Sequence, residues 1–297
     1  MSQAHPPHDL HIPVLLDATL ELLKPQAGES YLDLTAGYGG HTRAFMERTG
    51  KESSATLVDR DDFAISNLSE FQEKGARLLH TDFVTASKQL IEEGKQFDIV
   101  LIDLGVSSPQ LDQSERGFSF KNSGPLDMRM DQRQELTAKK LVNSATKDQI
   151  IHIIREYGEE SPHNARMIAE AIVKARPLET TEELANLIKQ TIRGKWKKIH
   201  PATRTFQSLR IAVNDELQQV KTVLPLLPQL LNKKGRVGVI SFHSLEDRLV
   251  KHYFNEQRDA GFEAELTVLT KKPIDGATYD VHNPRSRSAK LRGAVKI

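Results

Sequence analysis

Apolar runs of strand length recur through the first third of the chain, each bounded by turn residues: Tyr31 to Leu34, Thr56 to Val58 and Ile99 to Leu104. Helical spacing fills the gaps between them. Strands alternating with helices predict βαβ units and a parallel sheet. Burial of such a sheet on both faces makes each strand continuously hydrophobic rather than alternating. Arg236 to Phe242, reading R-V-G-V-I-S-F, predicts a further strand of this kind. Between about Ser114 and Pro201 the strand-like runs vanish. Thr146 with Gln149 forms a capping-box pattern ahead of Ile150, Ile151, Ile153, Ile154 and Tyr157, and Gly158 is placed to end that helix. Ala165, Ile168, Ala169, Ile172 and Val173 fall at i, i+3, i+4, i+7 and i+8, and Thr180 with Glu183 starts another helix through Leu184, Leu187, Ile188 and Ile192. The pattern predicts an α/β domain interrupted by a helical one: a core over 1–113, an inserted helical domain over 114–201, and the rest of the core over 202–297, ending in a basic tail.

Composition narrows the function classes. The 297 residues are 38% hydrophobic and 27% charged, which is ordinary for a folded globular chain. There is no cysteine, so disulfides, thiolate metal sites and cysteine nucleophiles are excluded. The beginning of the chain, with His5, Pro6, Pro7, His8 and Asp9, lacks a signal-peptide core, and no later run approaches a membrane span. A cytoplasmic protein with no membrane partner is expected. His5, His8 and His11 are spaced loosely enough for a metal, but a tail without a metal site is the simpler reading. The net charge of +1 conceals an uneven distribution. From Arg193 to Arg210 there are six basic residues (Arg193, Lys195, Lys197, Lys198, Arg204, Arg210) with Trp196 and Phe206 among them and no acid. A second stretch holds Arg285, Arg287, Lys290, Arg292 and Lys296, with no acid after Asp280. Either stretch is a candidate grip on a phosphate backbone, or a solvated surface.

The strongest local signal is Tyr31-Leu32-Asp33-Leu34-Thr35-Ala36-Gly37-Tyr38-Gly39-Gly40-His41, a strand that runs into a glycine-rich turn and then a helix. Doubly wound sheets bind nucleotide-type ligands at such strand ends. Counted from Gly37 the pattern is Gly-x-Gly-x-x-Thr, with Thr42 where a dinucleotide fingerprint has its third glycine, which argues against a nicotinamide cofactor. Asp33 is an awkward neighbour for a pyrophosphate and a suitable one for a ligand carrying an ammonium and a sulfonium. S-adenosylmethionine is such a ligand. Asp59, ending the second strand in Leu57-Val58-Asp59, is placed to accept both ribose hydroxyls. Phe83, in His80-Thr81-Asp82-Phe83, offers either a stacking face for adenine or a core side chain.

The run from Phe97 to Gln110 is a buried strand that ends in Asp103 and then a polar loop, Gly105-Val106-Ser107-Ser108-Pro109-Gln110. Ser108-Pro109-Gln110 is similar to the Ser/Asn/Asp-Pro-Pro-aromatic loop of enzymes that methylate amino groups of nucleobases, without the second proline and the aromatic. His243, just after the predicted strand Arg236 to Phe242, either faces the site or is structural. The chain as a whole resembles the bacterial 16S ribosomal RNA cytosine-N4 methyltransferase family. The resemblance rests on His11-Ile12-Pro13-Val14-Leu15-Leu16, Gly39-Gly40-His41, Leu101 to Asp112, Glu115-Arg116-Gly117-Phe118-Ser119-Phe120 and Gly124 to Asp131. It continues through Tyr157-Gly158-Glu159-Glu160, His200 to Gln207 and Ile240 to Arg248.

That resemblance implies a Rossmann-like class I S-adenosylmethionine methyltransferase sheet with an inserted helical domain that recognises RNA. It implies methyl transfer to N4 of a cytidine in 16S rRNA of the small ribosomal subunit, near the decoding centre, without a metal. It further implies that Gly39, Gly40, His41, Asp59, Phe83, Asp103 and Gln110 contact the cofactor. The segment between Phe254 and Asn283 is shorter than in some members. For the catalytic acceptor, Asp103 and Ser108 both remain candidates, Ser108 also reading as a loop or cap residue. A DNA cytosine-N4 methyltransferase and a non-catalytic ribosome-assembly factor are the alternative functions, and the oligomeric state is open, with a homodimer as one candidate.

Overall fold

The computed structural model describes residues 13–50, 52–192 and 200–297. His5, His8 and His11 of the opening segment, and Arg193, Lys195, Trp196, Lys197 and Lys198 of the first basic stretch, lie outside the described residues. The chain forms two compact units, one made of the part up to Gly105 together with Gln218–Ile297, the other of Val106–Leu217.

The first unit holds one sheet of eight strands: β1 (Tyr31–Asp33), β2 (Ala55–Asp59), β3 (Arg77–His80), β4 (Phe97–Asp103), β5 (Leu231–Ser241), β6 (Leu266–Val268), β7 (Ile274–Asp275) and β8 (Lys290–Lys296). Their order is β3-β2-β1-β4-β5-β8-β6, with β7 also pairing β8. The first five are parallel, and β8 enters antiparallel to β5. Strand order reverses between β1 and β4, and that switch point is where a doubly wound sheet opens a crevice at its carboxyl edge.

The continuous apolar strands reflect burial on both faces. Leu32, Val58, Val100, Ile102, Val237 and Val239 enter one core cluster. Their alternates Tyr31, Leu57, Ile99 and Leu101 enter another, as the two-residue period of a strand requires. The helix Leu16–Leu23 and the helix Gly40–Thr49 cover the second face, with Leu20, Leu23, Phe45 and Met46 in its core. The helix Phe83–Glu92 contributes Val84, Ala86 and Leu90 to the first.

The expected strands are all present, but four of the eight went unread. β3 has only Leu78 and Leu79 between Arg77 and His80 at the sheet edge, too short a run to stand out. β6 and β7 are still shorter. β8 corrects a reading outright, because the stretch taken as a basic tail is a seven-residue strand. Its Arg292 is 6% exposed and donates to Asp247 Oδ1 at 2.8 Å, Lys290 Nζ reaches the same carboxylate at 3.2 Å, and Lys296 Nζ donates to the Leu231 carbonyl at 2.8 Å. These three cations hold the fold together and are not turned outward as phosphate grips.

The second unit is helical. The helices Lys147–Gly158, Pro162–Ala175, Thr181–Thr191 and Thr203–Asn214 surround Ile150, Ile154, Ile168, Ile172, Leu184, Ile188 and Phe206. Both predicted capping boxes form, Thr146 with Gln149 and Thr180 with Glu183. Of the i, i+3, i+4 stripe only Val173 faces outward. Two members of the first basic stretch are also absorbed: Arg210 donates to both oxygens of Glu216 at 2.9 and 2.8 Å, and Phe206 is a core residue rather than an exposed stacking face.

Candidate active site

Three strand ends assemble the site within the sheet unit. β1 ends at Asp33, and the turn that follows is stitched down on both sides, Leu34 N–H donating to the Leu101 carbonyl of β4 and Ala36 N–H to the Val58 carbonyl of β2. Asp33 itself is buried. It is 1% exposed and accepts hydrogen bonds from the Tyr31 hydroxyl, the Thr42 hydroxyl and the Thr35 amide at 2.8, 2.8 and 3.2 Å. It neighbours the site as a charge, while both its oxygens accept from the protein. Burial pushes its carboxyl up to about 6, with the three donors pulling the other way.

The glycines have separate jobs. Gly39 adopts φ of +78°, a left-handed conformation that glycine enters at little cost, and a Cβ there would sit 2.6 Å from the Phe71 ring. A Cβ on Gly40 would sit 2.6 Å from Cγ of Pro13, so its smallness admits the opening segment rather than a ligand. Because Gly39 caps the helix Gly40–Thr49 with no side-chain hydrogen bond, the first-turn amides have no side-chain cap. His41, second in that helix, is 6% exposed, and its Nε2 lies 3.6 Å from Asp103 Oδ2.

Asp59 ends β2. One carboxylate oxygen accepts the Gly37 amide at 2.8 Å and the other accepts the Asp61 amide at 2.9 Å, so the acid organises the glycine turn across the crevice. Burial raises its carboxyl above the usual range. Phe83 begins the helix after β3, capped by Asp82, and its ring packs on the sheet core while remaining partly exposed.

Asp103 ends β4. Its amide donates to the Thr35 hydroxyl at 2.6 Å, which couples this strand end to the glycine turn. Among the described residues its Oδ1 has no hydrogen-bond partner. Its carboxyl is pushed well above the usual range, first by burial, then by the charges of Asp33 and Glu246. Glu246 and Thr35 are the site residues that sequence reading passed over. A signal for Glu246 was available: His243 and Glu246 form a capping box at the start of the helix Ser244–Asp259, immediately after a strand. His243 is therefore a cap, its Nδ1 accepting the Glu246 amide, while Glu246 Oε2 accepts the Phe242 amide at 2.8 Å.

The structure thus brings Gly39, Gly40, His41, Asp59 and Asp103 to one carboxyl edge, with Phe83 at the neighbouring strand. Ser108 and Gln110 belong to the helix Ser108–Asp112 of the other unit. The cap there is Ser107, whose hydroxyl accepts the Gln110 amide while Gln110 Oε1 accepts the Ser107 amide at 3.0 Å. Ser108 is the first helical residue and is buried.

A parallel sheet of order 3-2-1-4-5 with an added antiparallel strand, a glycine turn after β1 and acids closing β1, β2 and β4 define a Rossmann-like class I methyltransferase sheet. More narrowly, the chain belongs to the MraW methylase family, whose description matches residues 8–297. It is 48% identical over 294 residues to the ribosomal RNA small subunit methyltransferase H of Cyanothece sp., covering 98% of this chain and 96% of that protein. It is 45% identical over 298 residues to the protein of the same name from Synechocystis sp., covering 97% of this chain and 93% of the other.

Proposed function

We propose that this methyltransferase transfers the methyl group of S-adenosylmethionine to the exocyclic N4 of a specific cytidine in 16S rRNA of the small ribosomal subunit, near the decoding centre. Family membership and the names of the relatives support ribosomal RNA as the substrate. The single observation that carries the chemistry is the Asp103 carboxylate, standing at the end of β4 with one oxygen unpartnered among the described residues.

The residues present fit the cofactor. The first-turn amides of the helix Gly40–Thr49, left without a side-chain cap, suit a carboxylate. Each oxygen of Asp59 spends one acceptor position on a backbone amide and keeps another for a ribose hydroxyl. Gly39, Gly40, His41, Asp59, Phe83, Asp103 and Gln110 are the proposed cofactor-holding residues. S-adenosylmethionine, when bound, supplies a methyl group already activated on a sulfonium, so no metal is required.

The chain's own part is to position and to take up a proton. Cytosine N4 is a weak nucleophile because its lone pair is delocalised into the ring, and orientation at about 3 to 3.5 Å supplies much of the rate in such a transfer. Asp103 accepts the amino proton as the nitrogen–carbon bond forms, and the Ser108 hydroxyl is the second candidate acceptor. The inserted helical domain, 114–201, is assigned to RNA recognition, and the cytoplasm is the expected compartment. The target base has its pairing edge free only when unpaired or flipped, at a cost of a few kcal/mol.

The test is methyl transfer from labelled S-adenosylmethionine to small ribosomal subunits that lack the modification, followed by nucleoside analysis. A single N4-methylated cytidine is expected. Label in DNA instead, or cofactor binding with no transfer to subunits, RNA or DNA, overturns the proposal. Normal single-turnover rates in both Asp103→Ala and Ser108→Ala would remove the acceptor assignment.

A further inference from the structure

The loop between β7 and β8 reaches the reaction edge of the sheet, as the strand register shows. Lys290 of β8 stands opposite both Ser241 of β5 and Asp275 of β7, and Ser241 follows Ile240, the partner of Asp103. Residues 276–289 therefore leave the sheet at the edge where β1, β2 and β4 end in acids.

The loop is held rigidly from several sides. Asp275 accepts the Ala277 amide at 2.8 Å and caps the turn Gly276–Tyr279, while Asn283 accepts the Arg285 amide at 3.2 Å and caps the turn Pro284–Ser288. Gly276 N–H donates to the Ala289 carbonyl at 2.9 Å, and a Cβ on Gly276 would lie 1.9 Å from the Ser286 carbonyl oxygen. Asp280 turns its carboxylate inward, accepting the Leu15 amide at 2.8 Å and the Ser286 hydroxyl. What this frame turns outward is Tyr279, 68% exposed, with Val281, Arg285 and Arg287.

We infer that this loop is an RNA-binding ledge beside the target base, on which Arg285 and Arg287 meet phosphates and Tyr279 stacks an unpaired nucleotide flanking the target. The inference rests on the rRNA substrate proposed above. Exposure separates these arginines from Arg292 further along the chain, which is buried and engaged with Asp247. An aromatic face beside guanidinium groups is the combination that grips single-stranded nucleic acid without reading its sequence. A base presented for methylation at its pairing edge has to leave its pair, so the strand around it offers unpaired nucleotides to such a ledge. The backbone bonds of the loop fix its shape before binding, which lowers the ordering cost.

The experiment measures methyl transfer to small ribosomal subunits lacking the modification, at saturating S-adenosylmethionine and several salt concentrations. It compares wild type with Arg285→Ala/Arg287→Ala, Tyr279→Ala and Tyr279→Phe, and titrates cofactor affinity calorimetrically in each. The expected result is a KM for subunits raised roughly ten-fold in the Tyr279→Ala and double-arginine variants, with Tyr279→Phe near wild type. The double-arginine variant also shows a salt slope shallower by about 1.4, from roughly 0.7 per lost phosphate contact on a single strand. Cofactor affinity stays constant throughout. Unaltered KM and salt slope beside an active wild type overturn the ledge and leave the rRNA reading intact. A wild type that transfers nothing to the subunits overturns the rRNA reading itself. Weakened cofactor binding in the variants overturns the ledge in favour of a structural part for the loop.

Discussion

Asp33 and Asp103 close neighbouring strands and do opposite things. Both oxygens of Asp33 accept hydrogen bonds from the protein itself, and burial lifts its carboxyl to about 6. The folded state therefore holds that proton more tightly than the unfolded chain does. The contribution is full below the unfolded value near 3.9 and fades as pH rises through about 6, by of order 3 kcal/mol. Urea unfolding of wild type and Asp33→Asn between pH 4 and 7 measures it. Wild type should lose stability relative to the variant across that window, and a constant difference would refute the assignment. Asp103 is raised well above the usual range by burial, Asp33 and Glu246, and as an acceptor it works only when ionised. Single-turnover transfer at saturating cofactor and substrate should then rise with pH along a limb displaced above ordinary carboxylates. Asp103→Asn should remove that limb and slow transfer roughly 100-fold or more. Both acids were visible in the sequence, but their roles were not, because hydrogen-bond partners decide which carboxylate is spent and which is left open.

At the scale of elements, what is local was legible and what depends on distant pairing was not. The capping boxes at Thr146 and Thr180 form as read, since a cap involves residues three apart and nothing else. The helical stripes mark the core of the second unit for the same reason. Ile172→Ala should cost about 2 to 5 kcal/mol and Thr180→Ala about 1 kcal/mol in the thermal unfolding of that unit. A loss for Thr180→Ala as large as that for Ile172→Ala would mean the cap does more than satisfy an amide. By contrast, Lys290 to Lys296 alternates cations with apolar residues and becomes a strand only because β5 offers an edge for it and Asp247 a counter-charge. Ser107 rather than Ser108 caps its helix, a one-residue difference that two adjacent serines leave undecided.

For the whole molecule, a net charge of +1 says little until the ion pairs are known. Arg210 and Arg292, which looked equivalent to the other cations, are spent on Glu216 and Asp247. The lysines of the first basic stretch, Lys195, Lys197 and Lys198, remain candidates on sequence grounds. Replacing all three with glutamine should weaken binding to small-subunit rRNA and flatten its salt dependence by about 2 to 3, near 0.7 to 0.9 per phosphate contact. An unchanged slope in a filter-binding titration would exclude them.

By itself the sequence determined the α/β class, the glycine turn, the strands ending in Asp59 and Asp103, the helical insertion and the family, because these depend on periodicity, turn chemistry and long ordered motifs. Only the tertiary structure decided that Asp33 is consumed while Asp103 keeps an open oxygen. It alone showed that the smallness of Gly40 serves Pro13, that His243 is a cap, and that Lys290, Arg292 and Lys296 are engaged within the fold. The physical reason is common to all of these. The chemistry available to a charged or polar side chain depends on which partners already occupy it, and those partners come from strands and loops far away in sequence.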